Sequence, residues 1–244
     1  MDRLIYTAMT GAKGTLDQQA AVSHNLANAT STGFRTEMHK LRAVEVQTEA
    51  MHTRAFTTDA SVATDFSSGP MQATGRAYDV AIQGKGWLTV QMPDGSEAYT
   101  RDGSLEVSPN GILQTRSGLP VIGGGGPISL PPDSEIVIGS DGTISALQAG
   151  QGVVNAVDQL KLVNPPEATL VRGDDGLFRS SDGLPQPADE AVKTAGGYLE
   201  GSNVNVVDQM VTMISLGRQF EMQTRMLSTA EENDRAATQL LSSR

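Results

Sequence analysis

The sequence predicts an α+β chain in which two helical ends flank an antiparallel β middle, and three observations carry that reading. All 11 prolines lie between Pro70 and Pro187. Asp-Gly or Asn-Gly pairs punctuate that stretch at Asp94, Asp102, Asn110, Asp141, Asp175 and Asp182. Both ends carry apolar residues at helical spacing instead. Proline breaks helix interiors, and Asp-Gly and Asn-Gly favour the positive-φ turns of tight hairpins.

At the first end, Ile5, Met9, Ala12, Leu16, Gln19, Ser23 and Leu26 occur in alternating steps of four and three. Such a heptad stripe faces a partner helix. Ala8, Ala20 and Ala27 widen it with small side chains. Gly11 and Gly14 cost about 1 kcal/mol each against alanine. The helix is expected to end near Thr32-Gly33, with Gly33 taking the left-handed position after the last turn.

Residues 35–77 have no proline before Pro70 and only weak periodicity. Met38–Val46 reads as a strand or a short helix, and the rest as an irregular linker. From 78 to 201 the chain reads as β, with strand-like runs at Tyr78–Ile82, Trp87–Met92, Ile112–Thr115, Glu135–Ile138 and Leu160–Val163 separated by the turn pairs.

At the last end, Ser202, Asn203 and Asn205 are good N-caps, and Asp208 stands near the positive helix terminus. Val206, Met210, Met213, Phe220 and Leu227 then recur at helical spacing, with Val207, Val211 and Ile214 beside them. The helix is predicted from Asn205 to Leu241, apolar over more surface than one partner helix covers. The division expected is therefore a helical end at 1–34, a linker at 35–77, a β middle at 78–201 and a second helical end at 202–244. Surplus apolar surface at chain ends is a device for joining subunits.

Composition narrows the function classes. A net charge of −10 argues against nucleic acid, whose phosphates call for clustered Lys and Arg. No apolar run approaches the roughly 18 residues that span a bilayer, so no direct membrane insertion is expected. Met1-Asp2-Arg3-Leu4 lacks the basic-then-apolar layout of a secretory signal. With no cysteine, disulfides and thiolate chemistry are out, and His24, His39 and His52 lie outside metal-ligand spacing. The run Gly123–Gly126 and Gly84-Lys85-Gly86 lack the Lys-Ser/Thr context of a phosphate loop. Asp174-Asp175 does not match calcium-loop spacing. No cofactor and no catalytic group is expected.

Four stretches then resemble one known family. Asn25-Leu26-Ala27-Asn28-Ala29-Thr30-Ser31-Thr32-Gly33-Phe34-Arg35 resembles the N-terminal signature of the bacterial flagellar rod and hook family. Asp79-Val80-Ala81-Ile82-Gln83-Gly84-Lys85-Gly86-Trp87 and Tyr99-Thr100-Arg101-Asp102-Gly103-Ser104 are similar to stretches of its β domain. Gly197-Tyr198-Leu199-Glu200-Gly201-Ser202-Asn203-Val204-Asn205 resembles its C-terminal junction, and Met210, Met213, Ile214, Arg218, Phe220 and Glu221 continue the match. The start Met-Asp-Arg-Leu-Ile-Tyr and Ser117-Gly118-Leu119-Pro120-Val121 point to the proximal-rod branch; a distal-rod or hook-type paralogue is the alternative.

The resemblance implies a structural subunit of the flagellar basal body, not an enzyme. Its terminal helices would pair into one discontinuous coiled-coil-like domain. Its partners would be other rod subunits, itself and the flagellar type III export apparatus, and it would reach the periplasm-spanning rod without signal cleavage. The assembly residues implied on the first helix and its joint are Ile5, Met9, Leu16, Asn25, Leu26, Asn28, Gly33 and Phe34. At the other end they are Asn203, Asn205, Met210, Met213, Ile214, Arg218, Phe220 and Glu221. Asn25 and Asn28 read either as local partners of fraying helix carbonyls or as bonds across the joint. Asn203 and Asn205 read as caps. Phe34 reads as a core residue or as an anchor onto the helical pair. Arg218 and Glu221 read as a solvated pair or an inter-subunit pair.

Overall fold

A computed structural model describes residues 2–45, 55–132, 134–148 and 154–242. The chain divides into two units. Unit 1 takes residues 1–29, 36–65 and 204–244, and unit 2 takes 30–35 and 66–203.

Unit 1 is built from helix α1 (Asp2–Ala27), an antiparallel hairpin of strands β1 (Glu37–Glu45) and β2 (Ala55–Thr64), and helix α2 (Val206–Ser242). The two helices pack antiparallel: Thr15 meets Gln223, and Asn25 meets Gln209. α2 runs over the predicted span, and Asn205 caps it, its Oδ1 accepting the Val207 N–H at 3.1 Å.

Three expectations change here. α1 stops at Ala27, so Gly33 is not its C-terminal cap. Gly33 does hold a left-handed φ of 66°, but in the segment that belongs to unit 2. Within the 35–77 stretch read as a linker, the chain forms β1 and β2, with a register shift between Lys40 and Leu41. The strand reading of Met38–Val46 holds up to Glu45; Val46 lies outside the described residues. The irregular reading fails at β2 (Ala55–Thr64), because pairing across the strands supplies an order that weak periodicity cannot reveal.

Unit 2 is antiparallel β. Strands β3 (Met71–Ala73), β4 (Val80–Gln83), β5 (Trp87–Gln91) and β6 (Glu97–Thr100) come first. β5 and β6 lie in a five-stranded sheet flanked by Leu162–Val163 on one side and by Phe178–Ser180 and Leu170–Arg172 on the other. A second sheet joins Ser134–Ile138, Thr143–Gln148 and Val154–Gln159. Trp87, Leu88, Thr89 and Val90 are all buried, because β5 has a core on each face. Leu88 and Val90 point into an aliphatic core with Ile82, Leu113, Val121 and Ile144. Trp87 points into an aromatic cluster with Tyr99, Val163 and Phe178, where the Trp87 and Phe178 rings are 4.5 Å apart.

The turn pairs behave as their chemistry dictates, with one exception. Gly95, Gly111, Gly142, Gly176 and Gly183 have positive φ. Gly103 does not; its constraint is space, since a Cβ there would collide with the Val80 carbonyl.

Candidate assembly surface

Unit 1 presents two kinds of helix surface. Among the described residues of α1 the buried side chains are Ala8, Thr15, Val22 and Asn25, with Gly14 buried beside Thr15. Each of these four side chains lies one residue before a position of the predicted stripe. One residue is about 100° round a helix, so the seam is displaced to the neighbouring face. The displacement has a steric reason. Small residues let the helices approach: a Cβ on Gly11 would lie 3.1 Å from the Gln223 side chain. Thr15 Oγ1 donates to the Gly11 carbonyl at 3.0 Å and lies 3.2 Å from Gln223 Oε1. Of the predicted stripe, Met9 (61% exposed), Leu16 (48%) and Ser23 are left outside, while Ala12 and Gln19 are half-buried. Leu26 is half-buried, and the side chain of Ile5 lies outside the described ones.

α2 shows the same division. Among the described residues its shielded side chains are Gln209, Met213, Leu216, Phe220, Gln223, Leu227 and Ala230, again in alternating steps of four and three. Met213 and Phe220 therefore belong to the seam, together with Leu216, which fills the step between them and stands outside the apolar line read from the sequence. Met210 and Ile214 do not; Ile214 is 58% and Met222 63% exposed. An open groove on this helix is lined by Val211, Ile214, Ser215, Arg218, Gln219 and Met222. Arg218 and Glu221 are both exposed.

Asn25 is the joint of unit 1. Its Nδ2 donates to the Glu37 carbonyl at 2.8 Å, and its Oδ1 accepts the Glu37 N–H at 2.9 Å. The side-chain amide thus stands in for a neighbouring strand at the start of β1. His24 Nδ1 lies 3.1 Å from the Glu37 carboxylate. Asn28 Nδ2 donates to the His24 carbonyl at 3.0 Å, one turn back in α1.

The remaining candidates fall in unit 2, and one assignment changes. Phe34 is a buried residue of that unit, with the Arg172 guanidinium 4.5 Å from its ring centroid. Asn203 does not cap α2; its Nδ2 donates to the Ser67 carbonyl at 3.0 Å. Around them lies a buried ionic cluster that no motif in the sequence announces. Arg35 Nη2 is 2.7 Å from Glu200 Oε1, and Arg101 Nη1 is 2.9 Å from Glu200 Oε2. Arg101 also donates to the Gly84 carbonyl at 2.6 Å and stacks over Trp87. The four stretches singled out by resemblance thus meet at one place, through Arg35, Gly84, Arg101 and Glu200.

Comparison with known proteins matches the sequence to a family. Residues 195–240 match the family described as "Flagellar basal body rod FlgEFG protein C-terminal", and residues 81–146 match "Flagellar hook protein FlgE/F/G D1 domain". The flagellar basal-body rod protein FlgF of Escherichia coli (strain K12) is 47% identical over 250 residues, covering 99% of both chains. The chain belongs to the flagellar basal-body rod protein family. FlgF of Salmonella typhimurium (strain LT2) is 46% identical over the same coverage. A FlgG rod protein of Buchnera aphidicola is 31% identical over 263 residues, 97% of this chain and 98% of that one. As a rod protein the chain is a structural subunit of the basal body. Rod-family membership also implies assembly with other basal-body components. Among the described residues, no helix of this rod protein is long and apolar enough to cross a membrane.

Proposed function

We propose that this rod-family chain is a proximal-rod subunit that assembles through its terminal helices. The helices within residues 1–34 and 202–244 form a discontinuous, coiled-coil-like assembly domain. It packs against neighbouring rod subunits, including copies of itself, around an export channel. The β-rich middle, 78–201, stands outside that packing. Delivery runs through the flagellar type III export apparatus without signal cleavage, and the rod crosses the periplasm. The higher identity to FlgF than to the FlgG relative supports the proximal branch over the distal one.

The observation that carries the reading is the second apolar stripe. α1 and α2 already share a buried seam, yet Met9, Leu16, Met210, Val211, Ile214 and Met222 remain about half exposed or more. Fully burying such a side chain contributes about 1.5–3 kcal/mol, so covering the exposed half of each yields on the order of 1 kcal/mol. Summed over a stripe, that drives association without drawing on the contacts that hold unit 1 together.

The test is the double variant Ile214→Asp, Met222→Asp, expressed in a strain lacking the native copy. Both positions are exposed, so the monomer should stay helical and its stability should change by no more than about 1 kcal/mol. Incorporation into isolated basal bodies, and spreading in soft agar, should be lost. Normal rods built from the double variant would overturn the reading.

A further inference from the structure

The cluster around Glu200 joins segments far apart in the chain. Glu200 is 2% exposed and Arg35 1% exposed. The Glu200 carboxylate accepts from Arg35, from Arg101 and, at 3.0 Å, from the Gly69 N–H. Its backbone carbonyl accepts the Gly33 N–H at 2.8 Å. Neighbouring bonds repeat the pattern: Gly201 N–H donates to the Pro70 carbonyl, and Asn203 N–H to the Phe34 carbonyl. Thr32 Oγ1 donates to Asp102 Oδ1 at 2.6 Å.

These residues have one property in common. The chain passes between the two units at 29/30, 35/36, 65/66 and 203/204. Gly33 and Arg35, Gly69, and Glu200 are therefore the unit 2 residues that lead to those passages. A single carboxylate holds all three segments.

The charge count makes the carboxylate indispensable. Two guanidiniums face one carboxylate, and among the described residues Arg35 Nε and Nη1 and Arg101 Nε meet no acceptor. Remove the carboxylate and two buried cations remain with nothing between them. A broken buried ion pair is far costlier than one never formed, because the orphaned charge keeps its desolvation penalty. Burial pushes the Arg101 guanidinium down from its ordinary value while Glu200 pulls it back up, and Arg35 adds repulsion. Losing Glu200 would leave only the unfavourable contributions.

We propose that Glu200 is a clasp that couples the N-terminal segment of unit 2, residues 30–35, to the segments at 66–70 and 200–203, so that all three open and close as one unit. The coupling is selective. Arg35 is needed only by its own segment, whereas Glu200 is needed by all of them. Local opening of that kind is read directly by amide exchange.

The experiment is peptide-resolved hydrogen exchange on the full chain, with β5 and β6 as internal reference. In the native protein the amides of Gly33, Gly69 and Gly201 should share one opening transition as urea is raised. Glu200→Gln should accelerate exchange across 30–35 and 66–70 by about 10²- to 10³-fold while β5 and β6 hold their protection. Arg35→Met leaves a neutral one-to-one pair of Glu200 with Arg101. It should loosen 30–35 and leave Gly69 protected within about threefold. If Glu200→Gln unfolds unit 2 outright, with Trp87 exposed, the Arg35→Met result decides. Unchanged exchange at 30–35 in Arg35→Met, equal loosening of Gly69, or separate native transitions for the three glycines would each overturn the proposal.

Discussion

Gly33→Ala tests whether the positive-φ glycines of unit 2 share one role or two. Gly33 (φ 66°) and Gly118 (φ 83°) both occupy the left-handed region. There a Cβ costs roughly 1–2 kcal/mol, partly offset by about 0.4–1 kcal/mol from a stiffer unfolded chain. At Gly118 nothing lies within 4 Å of the added carbon, so the net loss should stay near 1 kcal/mol. At Gly33 the same carbon would lie 2.6 Å from the Arg101 carbonyl oxygen, with the Asp102 backbone beside it. Backbone cannot swing aside, so the segment must lift. That breaks the Gly33–Glu200 bond at 2.8 Å and the Thr32–Asp102 bond at 2.6 Å. Each is worth about 1 kcal/mol net, and more where a buried group is left unpaired. The sum for Gly33→Ala is about 3–5 kcal/mol. Trp87, the only tryptophan and a buried member of unit 2, reports unfolding by fluorescence. With a urea slope of about 2 kcal/mol per molar, the midpoint should fall by about 2 M for Gly33→Ala and by about 0.5 M for Gly118→Ala. Equal shifts would refute the argument that backbone proximity, not φ alone, dictates glycine at position 33.

The same geometry dictates other outcomes. In unit 1, Asn25→Ala strips the Glu37 backbone of both its bonds to the Asn25 side chain; native-state exchange at Glu37 should rise at least about tenfold, and an unchanged rate would show that Asn25 does not hold β1. Leu216→Ala should lower helix stability by about 2–3 kcal/mol in far-UV circular dichroism, and Val211→Ala, on the exposed face, by less than about 0.5 kcal/mol. The reverse order would place the seam on the wrong face. Asp94 and Asp141 are held below the ordinary carboxyl value of 3.8, Asp94 first by the Ser96 hydroxyl and Asp141 first by the Thr143 N–H. Their folded values are depressed, so their contribution is fully present above about pH 3.8 and is lost as pH falls through the lower folded values. The urea midpoint tracked at Trp87 should drop below that pH, and the double variant Asp94→Asn, Asp141→Asn should flatten the drop; an identical acid profile in the variant would rule these turns out as its source.

The order of the parts is written locally in the chain. Proline placement and Asp-Gly spacing are local facts, and local facts decide where helices cannot form and where hairpins turn. α2 therefore begins one residue from its predicted start, and Asn205 caps it as its type prefers. Apolar spacing also revealed that each terminal helix has a stripe in need of cover. It did not reveal which stripe the other helix covers. Hydrophobicity ranks Met9 and Leu16 above Ala8 and Thr15, but close packing of two helices rewards small side chains. Folding therefore turned the seam by one residue and left the larger side chains outside. The β1–β2 hairpin was hidden for a related reason, since its order comes from cross-strand pairing. Arg35 and Glu200 were each visible inside a recognised motif, yet 165 residues separate them. Nothing local distinguishes a buried charge from a solvated one. Only the folded chain, by closing that separation and excluding water, makes their charges depend on one another.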